Sequence, residues 1–336
     1  MNTTDSNILT DQFGRVHDYL RISLTERCNL RCFYCMPEEG VPLREKAEFM
    51  TAEETVQIAE EFIQLGIKKI RLTGGEPLIK KNFVKILHDL SRFDIELALT
   101  TNGILVDQYI HDFKTAGLKS INVSLDSLDE TNFKTITRRS DFQRVIKNID
   151  LLLEHGISPK INAVIMRGVN DHELIDFVNW GAEKDLAVRF IEFMPFDGNK
   201  WNWDKKVSYQ EILSTLENHF GKDKIVPITG GKNDTSRNFR LANLKGSFGI
   251  ISSVTNPFCD TCNRVRLTAD GKIKNCLFSA AETDLLSEVR KGNPISQLIR
   301  DSIFHKKSAR AGIPSFEEPA HVEAFFKNRS MITIGG

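Results

Sequence analysis

Leu20-Arg-Ile-Ser-Leu-Thr25 runs directly into Glu26-Arg27-Cys28-Asn-Leu-Arg-Cys32-Phe-Tyr-Cys35. The first part has the two-residue period of a strand: Leu20, Ile22 and Leu24 share one face, and Arg21, Ser23 and Thr25 share the other. The second part places three cysteines at CxxxCxxC spacing at the end of that strand. Further β-rich runs follow over residues 68–73, 96–100, 120–125, 160–166 and 188–194. Amphipathic helical stretches separate most of them. One opens with a capping box at Thr51 and Glu54 and stops at Gly66. Others cover residues 82–91, 107–116, 141–154 and 171–184, and Gly117 and Gly156 close two of these. Strands alternating with helices predict parallel β/α units.

The strand faces narrow the architecture. Opposite the apolar faces, the polar ones carry Arg71 and Thr73, Thr100 and Asn102, Asn122, Ser124 and Asp126, then Lys160, Asn162 and Met166. A closed eight-stranded barrel fills its interior with branched apolar side chains. A cationic interior needs water or an anion. The expected fold is therefore α/β: an incomplete (β/α)6 barrel with a wide cavity over residues 12–220. A smaller C-terminal α+β domain, 221–336, is expected to close the open side. The second part opens after an irregular tryptophan-rich stretch at 197–204 and a helix at 207–220. It carries short β-like runs near 239–241, 249–252 and 265–267, and helices at 284–291 and 294–306.

The 336 residues include 45 Lys+Arg and 45 Asp+Glu, a formal net charge of zero, which argues against a nucleic-acid binder driven by bulk charge. No apolar run approaches the roughly 18 residues of a membrane span. Met1 to Asp11 is polar and lacks the apolar stretch of a signal peptide. The expectation is a cytoplasmic protein with neither nucleic acid nor membrane as partner. Its six cysteines form two triads, Cys28, Cys32 and Cys35 and then Cys259, Cys262 and Cys276. In a reducing compartment such spacing reads as metal ligation rather than as disulfides.

For the first triad the choices are a four-iron cluster with one iron left without a protein ligand, or zinc. Structural zinc takes four protein ligands, and the nearest histidines in sequence are His17 and His88. The CxxxCxxC motif with an aromatic before its last cysteine resembles the radical S-adenosylmethionine enzymes. Gly74-Gly75-Glu76-Pro77 is similar to that family's GGEP element. The resemblance implies that the open iron chelates S-adenosylmethionine, held by Tyr34, Gly75, Ser124 and Met194. It also implies that one electron then releases a 5′-deoxyadenosyl radical that abstracts hydrogen.

Cys259-Asp-Thr-Cys262 followed by Cys276 admits a structural zinc with an outside ligand such as His305, or a second cluster with an open iron. Arg264 and Arg266 lie two apart, so on a strand they point the same way. With Arg21, Arg71, Lys160 and Arg189 expected nearby, they predict a polyanionic small substrate such as a nucleoside triphosphate. The two triads with Asn263-Arg-Val-Arg266 between the later ligands resemble the GTP 3′,8-cyclase family of molybdenum cofactor biosynthesis. The resemblance runs from about Asp11 to Gly336 and includes Thr100-Thr-Asn-Gly103, Asn122 to Leu128, Arg189 to Met194 and the final Gly335-Gly336. Lys80-Lys81 stands where the family has arginines, at the expected start of the next helix.

This resemblance implies two 4Fe-4S clusters and S-adenosylmethionine as cofactors. It implies GTP as substrate, contacted by Arg21, Arg71, Thr100, Lys160, Arg189, Arg264, Val265 and Arg266, with its guanine on the second cluster. Arg264, Arg266, Gly335 and Gly336 are the candidate catalytic residues, the last two as a tail reaching back into the site. The implied activity is that of a carbon–carbon bond-forming lyase. Its implied partners are a flavodoxin-like electron donor and, as the next enzyme, cyclic pyranopterin monophosphate synthase; a homodimer is left open. Two other readings compete: a two-cluster radical enzyme acting on a peptide or protein, and a non-enzymatic zinc-bearing binding module.

Overall fold

Six parallel strands lie side by side in chain order: β1 (Tyr19–Ser23), β2 (Lys69–Thr73), β3 (Glu96–Thr101), β4 (Ser120–Ser124), β5 (Ser158–Ile165) and β6 (Ala187–Glu192). They come from a computed structural model that describes residues 8–36, 44–118, 120–199, 201–314, 323 and 328–335. The helices between them are α1 (Ala52–Gln64), α2 (Phe83–Leu90), α3 (Val106–Thr115), α4 (Glu130–Thr137), α5 (Phe142–Glu154) and α6 (Leu174–Lys184). The capping box opens α1: the Thr51 hydroxyl accepts from Glu54 N at 3.1 Å, and Glu54 Oε2 accepts from Thr51 N at 2.8 Å.

The two faces of the sheet divide as the alternation requires. Leu20, Ile22, Ile70, Leu72, Leu99, Ile121, Val123, Ile161, Val188 and Phe190 are fully buried in one core with helix residues such as Ile58, Phe62, Phe113 and Ile149. At roughly 1.5–3 kcal/mol for each large apolar side chain, this layer is what binds helices to sheet. The opposite face lines the cavity.

After α7 (Tyr209–Phe220), the C-terminal part is β7 (Ile225–Ile228), β8 (Arg237–Leu241), β9 (Ser247–Ile251), β10 (Arg264–Leu267), β11 (Lys272–Lys274), β12 (Thr283–Asp284), α8 (Leu286–Arg290) and α9 (Ser296–Phe304). It builds onto both free edges of the six-stranded sheet. β10 pairs parallel with β1 and β9 parallel with β6, giving the order β12-β11-β10-β1-β2-β3-β4-β5-β6-β9-β8-β7. The result is an open barrel whose flanks close around the cavity.

α4, β7, β11 and β12 are additions to the sequence reading; α4 is short and polar, entered through Asp129, whose side chain accepts from Asn132 N. Lys80-Lys81 does not open a helix: Lys80 ends the 3-10 turn Pro77–Ile79 and α2 starts at Phe83, because Asn82 takes the N-cap position. Among the described residues no helix is long and apolar enough to cross a membrane.

Candidate functional site

One cavity of about 440 Å³ sits inside the barrel, and side chains from every strand of the parallel sheet reach it. That is the size of a small-molecule site. All six cysteines are free, half-buried and on its lining, the first triad at the C-terminal end of β1 and the second beside β10.

The loop after β1 is shaped by the loop after β2. Gly75 N donates to Thr25 O at 2.7 Å and Glu76 N to Arg27 O at 2.8 Å. A Cβ on Gly75 would lie 2.2 Å from the Arg27 carbonyl oxygen, so only glycine permits this approach. Glu76 then spans to the end of β3, accepting from Thr101 Oγ1 at 2.8 Å and Asn102 N at 2.7 Å. Burial raises its carboxyl to about 7. Tyr34 Oη donates to Asp126 Oδ2 at 2.6 Å, which fixes the ring beside the cysteines. Tyr34, Gly75, Ser124 and Met194 all line the cavity.

Burial raises Cys259 as it raises the thiols of the first triad, and Cys262 stands apart. Burial, followed by the Glu76 carboxylate, pushes the Cys28 thiol up to about 11, and burial with Cys28 and Asp126 pushes Cys35 to about 12. At Cys262 burial is outweighed by Lys306 and Arg264, which bring the thiol down to about 7.

Each triad offers three thiols, which suits a four-iron cube with one iron left open, whereas structural zinc takes four protein ligands, so the donor set fits clusters better than zinc. His305 is exposed, with Nδ1 2.8 Å from Asp301 O, and lines a separate groove.

The cations stand in register. Arg21 on β1 faces Arg266 on β10 on one side and Arg71 on β2 on the other. Lys160 and Arg189 enter from β5 and β6, and Arg264 lies at 5.0 Å over the Phe258 ring with Nη2 3.1 Å from Asn233 O. Burial, then the guanidiniums of Arg21 and Arg264, pushes Arg266 down to about 9. Burial and neighbouring cations lower Lys160 and Arg189 as well. Such crowding of like charge is relieved by an anion. Thr100 and the buried amide oxygens Asn122 Oδ1 and Asn162 Oδ1 share the lining, the last two without a hydrogen-bond partner among the described residues.

Two further expected residues are placed by the strand and the tail. Val265 is fully buried in the core on the far side of β10, beside Leu20, because alternate residues of a strand point to opposite faces. It can meet a ligand only through its main chain. Gly335 is brought to the site: its carbonyl accepts from Arg266 Nη1. Gly336 lies outside the described residues.

Several site residues escaped the sequence reading. Tyr19 Oη accepts from Arg71 Nε at 2.6 Å; burial alone would raise this phenol, but Arg71 and Arg21 bring it down to about 8. Asn233, Asp234 and Thr235, between β7 and β8, line the rim, and Lys306 touches the second triad. Its inward-facing parity on β1 marked Tyr19 in sequence; the others carry no local signal.

A partial β/α barrel with a three-thiol loop at the end of its first strand is the architecture of a radical S-adenosylmethionine enzyme. Residues 22–181 match the model of the radical SAM superfamily, and residues 186–311 match Molybdenum Cofactor Synthesis C. The chain is 42% identical to the GTP 3′,8-cyclase of Thermodesulfovibrio yellowstonii, over 98% of this chain and 100% of that one. It is 45% identical to molybdenum cofactor biosynthesis protein 1 of Bos taurus over 98% of its own length, and it spans about half of that longer relative, 52%. The solved structure of Streptococcus suis SuiB bound to its precursor peptide SuiA shares the fold, with a TM-score of 0.62 at 16% identity, covering 92% of this chain and 72% of that one. The chain belongs to the GTP 3′,8-cyclase family of radical SAM enzymes, which use S-adenosylmethionine and two 4Fe-4S clusters.

Proposed function

We propose that this chain converts GTP to the 3′,8-cyclic nucleotide that begins molybdenum cofactor biosynthesis. One observation carries the reading: a single cavity is lined by two cysteine triads and by Arg21, Arg71, Lys160, Arg189, Arg264 and Arg266. A peptide substrate would have no need of six converging cations.

When bound, S-adenosylmethionine and the first cluster would supply radical chemistry for hydrogen abstraction from the ribose 3′ carbon, and the second cluster would offer a site for guanine. The chain's own work is positional. Cys28, Cys32 and Cys35 hold the first cluster, and Cys259, Cys262 and Cys276 the second. Tyr34, Gly75, Ser124 and Met194 hold S-adenosylmethionine, with Tyr34 kept in place by Asp126. Arg21, Arg71, Thr100, Lys160, Arg189, Arg264 and Arg266 hold the ribose and triphosphate, and the Val265 main chain lies between the last two. Gly335 closes the site beside β1 and β2 and holds Arg266 for the substrate, and Gly336 is the other candidate catalytic residue of the tail. Residues 12–220 thus carry the radical source, and 221–336 carry the substrate-holding cluster and the tail. A flavodoxin-like protein delivers the electron, cyclic pyranopterin monophosphate synthase takes up the product, and the enzyme works in the cytoplasm.

The test is anaerobic incubation with GTP and S-adenosylmethionine, with products identified by mass. The cyclic nucleotide and 5′-deoxyadenosine are expected together, from protein holding about eight irons per chain. Deoxyadenosine formed only with peptides, or zinc at both triads, overturns the reading.

A further inference from the structure

Lys306 follows the last turn of α9 and is only 3% exposed. Its Nζ donates to Cys262 Sγ at 3.3 Å and to Arg264 O at 2.9 Å. Among the described residues no carboxylate forms an ion pair with it. A buried ammonium without a carboxylate partner is costly unless something anionic faces it.

The position is held firmly from behind. Gln12 Nε2 donates to Lys306 O at 3.2 Å, and Arg15 binds the carbonyls of Lys307 and Ser308 at 2.8 and 2.6 Å. The same Arg15 reaches Cys259 O at 2.8 Å. One N-terminal arginine therefore braces both the lysine's segment and the loop of a second-triad cysteine.

Among the described residues no cation donates to a sulfur of the first triad: Arg31 Nη1 donates to the Cys28 carbonyl instead, at 2.5 Å. The triad's amide contact is Asn102 Nδ2, 3.8 Å from Cys28 Sγ, and the acidic side chains of Glu76 and Asp126 stand close by.

We propose that Lys306 is a positioning residue for the second cluster, donating a charged hydrogen bond to the Cys262 sulfur and raising that cluster's reduction potential above that of the first. The inference rests on the two-cluster reading given above. Its physical basis is that a reduced cluster carries one more negative charge. A cation and an N–H···S bond at one sulfur stabilise that state, whereas nearby carboxylates oppose it. The contrast suits the division of work: a strongly reducing first cluster and a second that holds substrate.

The experiment is an EPR-monitored redox titration of the full-length holoprotein, wild type, K306Q and K306R, with iron counted in each. The second cluster's signal is the one that survives in C28S/C32S/C35S. K306Q should move the second midpoint to more negative potential and leave the first where it was, and K306R should restore most of the shift. Loss of about four irons in K306Q but not in K306R, with the fold intact by circular dichroism, also supports the proposal. An unchanged midpoint in K306Q with about eight irons bound overturns it, as does a K306R chain that loses the cluster or a K306Q chain that does not fold. Wild-type protein with about four irons would instead overturn the two-cluster reading itself.

Discussion

The guanidinium of Arg266 donates to the main-chain carbonyl of Gly335, so the end of the chain rests on the cation that stands beside Arg21. Arg266 is thereby pointed into the cavity before any anion arrives, and Arg264 is held in the same way by Asn233 O. Replacing Arg266 or Arg264 by alanine removes a charge-assisted hydrogen bond of about 1.5–3 kcal/mol, or about ten- to a hundredfold in kcat/KM for GTP. Slow cleavage of S-adenosylmethionine without GTP should persist in both variants, since neither residue touches the first triad's loop. Measuring cyclic nucleotide and 5′-deoxyadenosine side by side checks this; unchanged GTP turnover in both removes the clamp.

Gly335 tests the tail itself. Its φ is +86°, and a Cβ there would lie 2.9 Å from Ser23 Cβ and 3.2 Å from Thr73 Cγ2. The G335A change therefore meets both a left-handed backbone and the walls of β1 and β2. Turnover of GTP should fall at least about tenfold, the effect of losing about 1.4 kcal/mol of positioning. Iron content should stay near wild type, because the contacts of Gly335 are to β1, β2 and Arg266, while the melting temperature should fall, since Ile334 just before it is buried in an apolar cluster with Phe196, Val254 and Phe278. Full activity in G335A would return the tail to a passive role.

Much of this site is local in sequence and therefore legible there. The alternation in Leu20 to Thr25 assigns Arg21 to the interior, CxxxCxxC assigns the thiols to one loop, and the two-residue spacing of Arg264 and Arg266 puts them on one face. What sequence periodicity cannot give is which strand lies beside which. The pairing of β10 with β1, which sets Arg266 next to Arg21, joins segments from opposite ends of the chain. Lys306 beside Cys262 depends on where α9 ends, and the parity of β10 turns the Val265 side chain away from the face that carries Arg264 and Arg266.

The ion-pair group behind the tail is likewise invisible in sequence. Arg329 meets Asp270 through both terminal nitrogens, at 2.9 and 2.8 Å, and reaches Glu282 at 2.6 Å. Burial alone would raise the Asp270 carboxyl, but hydrogen bonds from Arg329 and Thr268 outweigh it and hold it at about 2. A carboxyl depressed in the folded state adds stability above its ordinary value of about 3.9, and that contribution is lost as pH falls towards 2. The D270N variant should therefore be less stable by on the order of 2 kcal/mol at neutral pH, below the range for fully buried pairs because Arg329 is partly exposed. The gap between wild type and variant in urea midpoint should stay level above about pH 5 and close between about pH 4 and pH 2. A gap that widens in acid would contradict the assignment.

Glu192, at the end of β6, is fully buried and collects the main chains of two later segments. Its Oε1 accepts from Tyr209 N at 2.9 Å, where α7 begins, and its Oε2 accepts from Val254 N and Thr255 N at 2.9 and 3.0 Å. The Thr255 hydroxyl donates to Oε1 as well. The loop it anchors continues through Pro257 and Phe258 to Cys259, so this carboxylate ties the barrel to the second triad. The E192A change leaves three amide donors facing a void, each costing about 1–3 kcal/mol. A destabilisation of about 3 kcal/mol or more is expected in urea unfolding. Iron at the second triad should fall before iron at the first, because the first triad's loop is held by Gly75 and Glu76 instead. Equal loss from both triads would show that Glu192 supports the fold as a whole and has no particular hold on the second site.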